Sequence, residues 1–458
     1  MNKPLPDDLL SALNNVTGFD APSFIQTHQE ASPITSVRIN KNKIFNISDS
    51  VLTIDEKVSW SSSGFYLTHR PSFTLDPLFH AGAYYVQEAS SMFLEVVIKQ
   101  SCDLQNNIKV LDLCAAPGGK STLIQSLISK DSLLVCNEVI KTRVNVLTEN
   151  ITKWGATNVV ISNNDPKDFQ RLPNYFDLIV VDAPCSGSGL FRKDPDAINE
   201  WSIENVSLCH QRQQRILTDV LPALKPGGTL IYSTCSYSYE ENEAITDWLV
   251  NNNDVDSIKI QLEEKWNIIE TNSQENKCFG YRFYPNKIKG EGFFITAFQK
   301  KSTSEIKYDK KPKPHPDLLK KADLAKLEKY FEPVDDCQFF YWKNDIIAMP
   351  FKMMNEITLL QFALYIKKAG LNIGSLIRDE LLPSHELALN TLLHQKIPTI
   401  EVKKETALDY LRLHDIKISG TEIGWHIIKY RGVSLGLIKV LHNRINNYYP
   451  KEWRIVHK

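Results

Sequence analysis

The sequence predicts an α/β protein whose central domain is a mainly parallel sheet covered by helices on both faces. From residue 108 to about residue 300, apolar β-branched runs alternate with helical stretches, which is the pattern of repeated strand–helix units. Leu178–Val181 is apolar throughout, as expected for an interior strand buried on both sides. The expected strands lie at 108–113, 133–137, 158–162, 177–182, 228–233 and 293–298, and the expected helices at 119–129, 140–153, 206–222 and 240–251.

An N-terminal extension of mixed α and β structure is expected at residues 1–75. It should contain a helix at Asp8–Leu13 and a strand at Ser36–Ile39. The central domain is assigned to residues 76–301, and apolar residues at helical spacing predict that its first helix begins near Gln87.

Three further segments follow the central domain. Residues 302–318 are rich in proline and lysine and are predicted to form an extended linker. The apolar block at residues 319–390 is expected to be an intermediate α-rich domain. Residues 391–458 end in strand-like alternation on both sides of Gly432, which predicts a small β-rich domain.

Charge is distributed unevenly although the net charge of the 458 residues is only −1. Residues 1–300 contain 27 Lys and Arg against 35 Asp and Glu, whereas residues 301–458 contain 26 against 19. The basic C-terminal part is therefore the better candidate for contact with phosphate, although solvated surface lysines would give the same balance.

Composition disfavours several classes of protein. The sequence contains no apolar run long enough to cross a membrane, and its first residues do not resemble a signal peptide. The eight cysteines include no Cys-x-x-Cys pair, so neither a zinc site nor a disulfide framework is expected. We expect a monomeric cytoplasmic protein with reduced thiols and no metal.

A loop of small residues follows the first strand of the central domain. Alanine and glycine allow a ligand to approach the backbone, and the next helix offers free N–H groups at its start. Cys114 stands where a phosphate-binding P-loop requires glycine, and the adjacent Gly118 and Gly119 do not give dinucleotide-site spacing. The candidate cofactor-binding residues of this loop are Cys114, Ala115, Ala116, Pro117, Gly118, Gly119 and Lys120.

Two acidic residues at the same sheet edge extend the candidate cofactor site. Glu138 follows the second strand, where related folds place an acid against ribose hydroxyls. Asp165 follows the third strand, where it could accept a hydrogen bond from an adenine amino group. Either acid alone could be a solvated loop carboxylate, but in register with the small-residue loop they favour S-adenosylmethionine over a phosphorylated cofactor.

Two cysteines follow the fourth and fifth strands, Cys185 in Asp182–Gly187 and Cys235 in Ser233–Ser236. Parallel strands end at one edge of a sheet, so both thiols should face one cleft. Cys114 is expected to line the cofactor loop without reacting. Small buried hydrophobes are the expectation for the remaining cysteines, Cys102, Cys136, Cys209, Cys278 and Cys337.

Two thiols beside a methyl donor suit methylation of a pyrimidine at C5. The C5 carbon of cytosine is a weak nucleophile, and addition of a thiolate to C6 makes it enamine-like. After methyl transfer the C5 proton must leave and the thiolate must be expelled, so a second thiol could assist. Asp182 could hydrogen-bond the cytosine edge. The chemistry alone leaves open which of the two thiols attacks.

The motifs together resemble the Sun/Nop family of RNA cytosine-C5 methyltransferases. The resemblance covers roughly residues 30–300. It implies a Rossmann-like class I S-adenosylmethionine-dependent methyltransferase core. The matching stretches are Leu113–Lys120, Asp182–Gly187, Ser233–Ser236, Tyr84–Ser91, Phe191–Asp194 and Gly290–Phe294.

The resemblance also implies roles for individual residues. In DNA cytosine-C5 methyltransferases the Pro-Cys thiol attacks the base, whereas in the RNA family the Thr-Cys thiol attacks. Carried over, Cys235 is the nucleophile and Cys185 helps to release the product. Lys193 is a weaker candidate for the active site. The implied cofactor contacts are the 114–120 loop, Glu138, Arg143, Asp165 and Asp182.

The C-terminal part resembles the PUA-like RNA-binding appendage of the bacterial ribosomal branch of this family. Residues 421–458 carry seven Lys or Arg against two Glu. Basic charge with exposed aromatic residues suits an RNA recognised by shape and backbone, although a packed β core with ordinary surface charge would look similar. The matching stretch includes Gly424–Trp425, Tyr430–Gly432, Leu435–Gly436 and Asn446–Lys451.

We therefore expect methylation of cytosine C5 in ribosomal RNA of the small subunit, with the target base flipped out of its stack. The expected partner is ribosomal RNA or the small ribosomal subunit. A tRNA methyltransferase of the same family would share every catalytic residue. A DNA methyltransferase would rely on Cys185 and tolerate the loss of Cys235, and a non-catalytic assembly factor could lose both thiols.

Overall fold

The computed structural model describes residues 3–30, 33–301, 316–332, 336–390, 396–418 and 420–456. Its strands form four sheets, with four strands near the N-terminus, ten in the centre, five in the intermediate segment and four near the C-terminus. Among the described residues, none of the helices is both long and apolar enough to cross a membrane.

The N-terminal unit has an antiparallel sheet. It contains α1 (Asp7–Leu13), α2 (Ala21–Glu30), β1 (Ser36–Ile39), β2 (Ile54–Lys57), β3 (Gly64–Leu67), α3 (Pro77–His80) and β4 (Tyr84–Val86). The strand order is β2-β3-β1-β4, so this sheet extends past the predicted boundary at residue 75. The helix and strand expected at Asp8–Leu13 and Ser36–Ile39 are confirmed.

The central domain follows the predicted alternation of strands and helices. All six expected strands and all four expected helices are present near their expected positions. The elements are α4 (Leu94–Ser101), β5 (Lys109–Asp112), α5 (Gly119–Leu127), β6 (Leu133–Asn137), α6 (Lys141–Trp154), β7 (Val159–Ser162), β8 (Phe176–Asp182), α7 (Ala197–Glu200), α8 (Ile203–Val220), β9 (Leu224–Thr234), α9 (Glu243–Asn252), β10 (Val255–Ser257), β11 (Ile269–Asn272), β12 (Phe279–Phe283) and β13 (Phe293–Lys300).

The central sheet is mixed, with a parallel middle and antiparallel edges. Parallel pairs join β9, β8, β5, β6 and β7 in that order. On one side, β13, β12 and β11 continue the sheet in antiparallel fashion. Buried clusters cover both faces of the sheet, as the apolar strands predicted. The carboxyl ends of the parallel strands therefore share one edge.

The helix expected to begin near Gln87 begins later. Tyr84–Val86 pairs with β1 as β4, a 3-10 turn occupies Ser90–Phe93, and α4 starts at Leu94. The Glu88 carboxylate accepts hydrogen bonds from the N–H groups of Ser90 and Ser91, both at 2.9 Å. Residues 84–93 therefore form a strand and a capped 3-10 turn instead of the predicted first turns of the helix.

The intermediate segment is not α-rich, so that prediction is wrong. Its described elements are β14 (Asp317–Leu318), α10 (Lys321–Leu327), β15 (Cys337–Trp342), β16 (Asp345–Pro350), α11 (Met354–Ala363), β17 (Ile366–Ala369), β18 (Leu371–Ile377), β19 (Glu380–Pro383) and α12 (His385–Leu389). An antiparallel sheet runs β14-β15-β16-β18-β19, because aromatic and β-branched residues dominate its central strands.

The intermediate segment also completes the central sheet. β17 pairs antiparallel with β7, with Lys368 opposite Ile161. The predicted linker at 302–318 is described only at its end, where Asp317–Leu318 forms β14, and residues 302–315 lie outside the described residues.

The C-terminal unit is β-rich as predicted. It contains β20 (Thr399–Glu401), α13 (Lys404–Leu411), β21 (Gly424–Tyr430), β22 (Val433–Val440) and β23 (Ile445–Asn447), in one sheet of order β20-β21-β22-β23. The hairpin between β21 and β22 turns at Arg431 and Gly432, whose φ angles are 51° and 76°. Two positive φ angles match the twist of flanking strands in tight hairpins. This unit shares a hydrophobic core with the N-terminal unit, in which Leu78 and Tyr84 pack with Tyr410 and Leu435.

Candidate active site

The small-residue loop between β5 and α5 is fixed by α6. Gly118, at the start of α5, has φ +114°, a conformation that favours glycine. Arg143 Nη2 donates to the carbonyl of Ala116 at 2.7 Å, and Asn150 Nδ2 donates to the carbonyl of Pro117 at 2.8 Å. These contacts fix the position of the loop relative to α6.

Arg38, a buried residue of β1, ties the start of α5 to the N-terminal sheet. Its guanidinium donates to Gln87 Oε1 at 2.8 Å and to the carbonyls of Gly119 and Thr122, both at 3.3 Å. Arg38 was not predicted as a site residue, because a lone arginine within a short strand gives no sign of a partner more than eighty residues away.

A cavity of about 190 Å³ lies between the loop and the segment that follows β4. The structure brings together here six of the seven predicted loop residues, with Asp182 and Lys193. The predicted site residues outside the lining are Gly118, Glu138, Arg143, Asp165, Cys185 and Cys235. The sequence analysis did not assign Tyr85, Val86, Gln87, Glu88 and Ser91 to the site, although it noted their stretch as a family match. The lining residues are Tyr85, Val86, Gln87, Glu88, Ser91, Cys114, Ala115, Ala116, Pro117, Gly119, Lys120, Asp182 and Lys193.

Asp182, the last residue of β8, is held at the cavity by two partners. Lys120 Nζ lies 2.7 Å from Oδ2, and the Ser233 hydroxyl donates to Oδ1 at 2.7 Å. Burial acts most strongly and lowers the pKa of Lys120, but the charge and hydrogen bond of Asp182, together with the charge of Asp112, oppose it and the pKa is raised. Lys120 therefore stays cationic and joins the cofactor loop to the end of β8.

Two buried carboxylates near the loop retain an oxygen without a hydrogen bond from the described residues. Asp112 Oδ2 accepts from Ser121 at 2.6 Å while Oδ1 has no such partner, and burial raises the pKa of Asp112 to about 7. Glu138 Oε1 accepts from the Ile140 N–H at 2.8 Å. Its Oε2 has an ion-pair contact of 3.3 Å with Arg143 but no hydrogen bond.

Asp165 occupies a different environment from Glu138. Its carboxylate accepts from the Lys167 N–H at 3.1 Å and from Arg215 Nη1 at 3.2 Å. The Asp165 side chain is 43% exposed, whereas that of Glu138 is 3% exposed. Of the two predicted acids, Glu138 is thus the buried one, and its Oε2 accepts no hydrogen bond from the described residues.

Cys185 and Cys235 lie together, with their Sγ atoms 3.1 Å apart. They follow β8 and β9, which are parallel neighbours with Asp182 opposite Ser233. Both residues are half-buried. The hydrogen bond with Cys235, followed by burial, raises the pKa of the Cys185 thiol well above its ordinary value. At this distance both thiols can contact the same small group of a substrate.

The other cysteines are separate from this pair. Cys136, Cys209 and Cys278 are buried, and Cys102 and Cys337 are half-buried. Burial raises the pKa of all five thiols. Among the described residues, no group of three or more His, Cys, Asp or Glu side chains could hold a metal ion.

Glu241 contacts both cysteine loops and was missed by the sequence analysis. Its carboxylate accepts from the Ser186 N–H at 2.8 Å and from the Ser236 hydroxyl at 2.6 Å. In the sequence it belongs to an acidic run just before α9, which is indistinguishable from ordinary acidic residues at a helix start. Its position six residues after Cys235 is the only sequence feature that indicates a role in the site.

Known proteins match this chain along most of its length. A family model for 16S rRNA methyltransferase RsmB/F matches residues 99–299. The ribosomal RNA small subunit methyltransferase F of Aeromonas salmonicida is 31% identical over 440 residues, which cover 91% of this chain and 90% of that protein. The chain belongs to the ribosomal RNA small subunit methyltransferase F family.

Both ends of the chain match family models as well. The N-terminal domain of 16S rRNA methyltransferase RsmF matches residues 5–89, and the PUA domain of methyltransferase RsmF matches residues 397–455. The methyltransferase F of Vibrio atlanticus is 29% identical and covers 98% of both chains. The predicted membership of the Sun/Nop family, in the ribosomal branch with a PUA-like domain, is confirmed.

Solved structures agree with the fold of this methyltransferase F family member. A methyltransferase homologue from Pyrococcus horikoshii superimposes with a TM-score of 0.51 at 29% identity, covering 65% of this chain and all of that one. NSun6 from Pyrococcus horikoshii, solved with SFG, has a TM-score of 0.54 at 18% identity and covers 66% of this chain and 99% of its own. The predicted Rossmann-like methyltransferase core is confirmed.

Proposed function

We propose that this protein transfers a methyl group from S-adenosylmethionine to C5 of a cytosine in small-subunit ribosomal RNA, through a covalent bond between Cys235 Sγ and C6. The observation that carries the proposal is the 3.1 Å contact between Cys185 and Cys235 at the sheet edge that also holds the cofactor loop. The names of the relatives support ribosomal RNA as the substrate.

The residues around the loop fit S-adenosylmethionine. Small side chains leave the loop backbone accessible, and Gly118 adopts its positive φ where a side chain would be strained. Glu138 Oε2 is a buried acceptor that a ribose hydroxyl would satisfy. We propose that Arg143 orients Glu138 while it fixes the loop. The cofactor, when bound, supplies an electrophilic methyl group on a sulfonium.

The two thiols divide the work on the base. The Cys235 thiolate adds to C6, and the electron pair of the C5–C6 double bond makes C5 nucleophilic. After C5 has gained the methyl group, its proton passes to a water molecule and the electron pair of that C–H bond re-forms the C5–C6 double bond. The bond from Sγ to C6 breaks, and its electron pair returns to the Cys235 sulfur. Cys185, within 3.1 Å of the leaving sulfur, assists this release. Its raised pKa keeps a proton available beside the Cys235 thiolate.

Asp182 and Lys193 orient the base. Both line the cavity beside the cofactor loop. Each carboxylate oxygen of Asp182 has one partner, Lys120 or Ser233, and retains lone-pair capacity for the amino edge of cytosine.

A second cavity supports an RNA substrate. Its volume is about 870 Å³, and it lies between the N-terminal sheet and the central domain. Lys193 lines this cavity and the smaller one, so a strand in the larger cavity could place a flipped base beside the cofactor loop and Asp182. Its lining includes Thr68, His69, Arg70, Lys193 and Lys289.

Transfer of a labelled methyl group tests the proposal. The full-length protein is incubated with labelled S-adenosylmethionine and, separately, small ribosomal subunits, free 16S ribosomal RNA, tRNA and duplex DNA. Label should appear as 5-methylcytosine in small-subunit RNA. Label in tRNA or DNA alone would contradict the proposed substrate. We further propose that the protein acts in the cytoplasm, because its proposed substrate is ribosomal RNA.

A further inference from the structure

Glu241 is a fully buried carboxylate between the two cysteine-bearing loops. Neither Sγ atom is within hydrogen-bonding contact of it among the described residues, so it does not act as a base on the thiols. Its partners are instead the residues that directly follow the two cysteines. These contacts differ from those expected of an acid that merely favours a helix start.

The first loop is held through Ser186, which follows Cys185. The Ser186 N–H donates to Glu241 Oε1 at 2.8 Å, and its hydroxyl donates to Oε2 at 2.5 Å. Gln213 Nε2 donates to Oε1 at 3.1 Å and also to the Pro184 carbonyl at 3.1 Å. Glu241 and Gln213 therefore fix the backbone on both sides of Cys185.

The second loop is held through Ser236, which follows Cys235. The Ser236 hydroxyl donates to Glu241 Oε2 at 2.6 Å, so one oxygen accepts from both serines. The two serine hydroxyls are themselves 3.2 Å apart. A single carboxylate thus bridges the two loops at the residues that directly follow the cysteines.

Neighbouring contacts fix Glu241 itself. The Tyr232 hydroxyl donates to the Glu241 carbonyl at 2.7 Å. Asn242 Nδ2 donates to the Ser236 carbonyl at 2.8 Å, and the Thr234 hydroxyl donates to Asn242 Oδ1 at 2.6 Å. The bridge is therefore anchored to β9 and cannot shift with one loop alone.

We propose that Glu241 is a positioning residue, which holds Cys185 and Cys235 in register so that both thiols reach the same pyrimidine ring. Burying a carboxylate costs free energy, and an apolar side chain would fill the same space without that cost. Burial raises the pKa of Glu241, and hydrogen bonds from Ser186, Ser236 and Gln213 oppose this rise. Three donors on the two loops and one on α8 share this common acceptor, which an apolar side chain could not provide.

The inference rests on the proposed covalent mechanism and is tested with a mechanism-based substrate. RNA with 5-fluorocytosine at the target position traps the adduct, because C5 then carries no proton to lose. Glu241→Ala should slow adduct formation about 100-fold at saturating RNA and cofactor, since a displacement of about 1 Å has that effect. The KM values for RNA and cofactor should change less than about threefold. Glu241→Gln keeps one acceptor oxygen but replaces the other by an NH2 donor, so it should recover part of the rate and remain faster than Glu241→Ala.

Asp247 provides a matched control on α9. It is also a buried carboxylate that accepts from a serine hydroxyl, Ser273 at 2.6 Å, and from a backbone N–H, Asn276 at 2.8 Å. Asp247→Ala should lower thermal stability by a similar amount and leave the adduct rate near the wild-type value. Equal adduct rates for Glu241→Ala and Asp247→Ala would overturn the inference.

If Glu241→Ala does not fold, variants that remove one serine hydroxyl each test the two loops separately. Ser236→Ala should slow adduct formation, whereas Ser186→Ala should allow adduct formation and slow release from RNA with ordinary cytosine. Identical effects of both variants on both steps would contradict a positioning role. If the wild-type protein forms no adduct, the proposed function is contradicted. That result differs from failure of the Glu241 inference, in which the wild-type protein forms the adduct and the variants match the Asp247→Ala control.

Discussion

The ammonium of Lys120 lies 2.7 Å from the carboxylate of Asp182. This ion pair joins the loop after β5 to the end of β8. It therefore lies between the proposed cofactor site and the proposed base site. Lys120 belongs to the cofactor loop, and Asp182 stands three residues before Cys185. The ion pair therefore couples cofactor binding to the geometry of the base site.

Loss of this ion pair should weaken cofactor binding. Lys120→Met leaves Asp182 without its cation and frees the loop, so we expect the dissociation constant of S-adenosylmethionine to rise at least about tenfold, or about 1.4 kcal/mol. Isothermal titration calorimetry measures it. The control is Lys225→Met, which removes a 2.6 Å ion pair with Asp177 at the opposite end of β8. Equal losses in the two variants would contradict the coupling.

Glu138 should contribute more to cofactor binding than Asp165. Each acid contacts an arginine, Glu138 with Arg143 and Asp165 with Arg215. Glu138 differs because it is buried and its Oε2 accepts no hydrogen bond from the described residues, whereas the Asp165 side chain is 43% exposed. Glu138→Gln should weaken S-adenosylmethionine binding about 10- to 100-fold, because hydrogen bonds to buried charged groups contribute roughly 1.5–3 kcal/mol. Asp165→Asn should have a smaller effect in the same titration. The reverse order would argue against Glu138 as the ribose acceptor.

The larger cavity should contribute to RNA binding through charge. Arg70 is exposed and lines the cavity between the N-terminal sheet and the central domain. Arg70→Ala should weaken binding of small-subunit RNA and reduce the salt slope of the affinity by about one. Lys265→Ala removes a 70% exposed cation outside that lining and serves as the control. An unchanged salt slope for Arg70→Ala would exclude a phosphate contact there.

Acid should destabilise the fold through His385, whose two ring nitrogens are buried without a hydrogen bond from the described residues. His385 packs between Tyr449 and Trp453, with ring centroids 5.3 and 5.4 Å away, and burial lowers its pKa to about 3. In the unfolded chain His385 binds a proton as the pH falls below about 6.5, whereas in the folded chain it stays neutral until about pH 3. The stability contributed by neutral His385 is therefore lost as the pH falls from about 6.5 towards 3, by at most about 1.4 kcal/mol per pH unit.

Denaturant unfolding at pH 7.5 and pH 5 measures this effect. His385→Gln should reduce the loss of stability between the two pH values, whereas the exposed His442→Gln should leave it unchanged. His80 and His28 are buried with pKa values lowered to about 4, so part of the acid sensitivity should remain in the His385 variant. An unaltered loss in that variant would contradict the assignment.

Local sequence patterns predicted the central domain well because they carry the information that builds it. Apolar β-branched runs form the buried parallel strands, and the motifs at their ends lie at one edge since parallel strands end together. The meeting of Cys185 with Cys235 could be expected for this reason. The 3.1 Å distance itself depends on side chains from other elements.

The missed features depend on partners that are distant in sequence. Arg38 contacts α5 from the N-terminal sheet, and Glu241 reads as an ordinary acid at a helix start until its contact with Ser186 is known. The helix expected near Gln87 was displaced by pairing of β4 with β1. The intermediate segment was misread because apolar runs such as Ile346–Met349 suit helices and buried strands alike.

Trapping of the covalent adduct tests the central claim most directly. The wild-type protein and the Cys235→Ala and Cys185→Ala variants are incubated with S-adenosylmethionine and small-subunit RNA, and the products are separated under denaturing conditions. Cys185→Ala should accumulate a protein–RNA adduct because its release is slowed, and Cys235→Ala should form none. An adduct that survives the loss of Cys235, or that disappears with the loss of Cys185 alone, would contradict the assignment of Cys235 as the nucleophile.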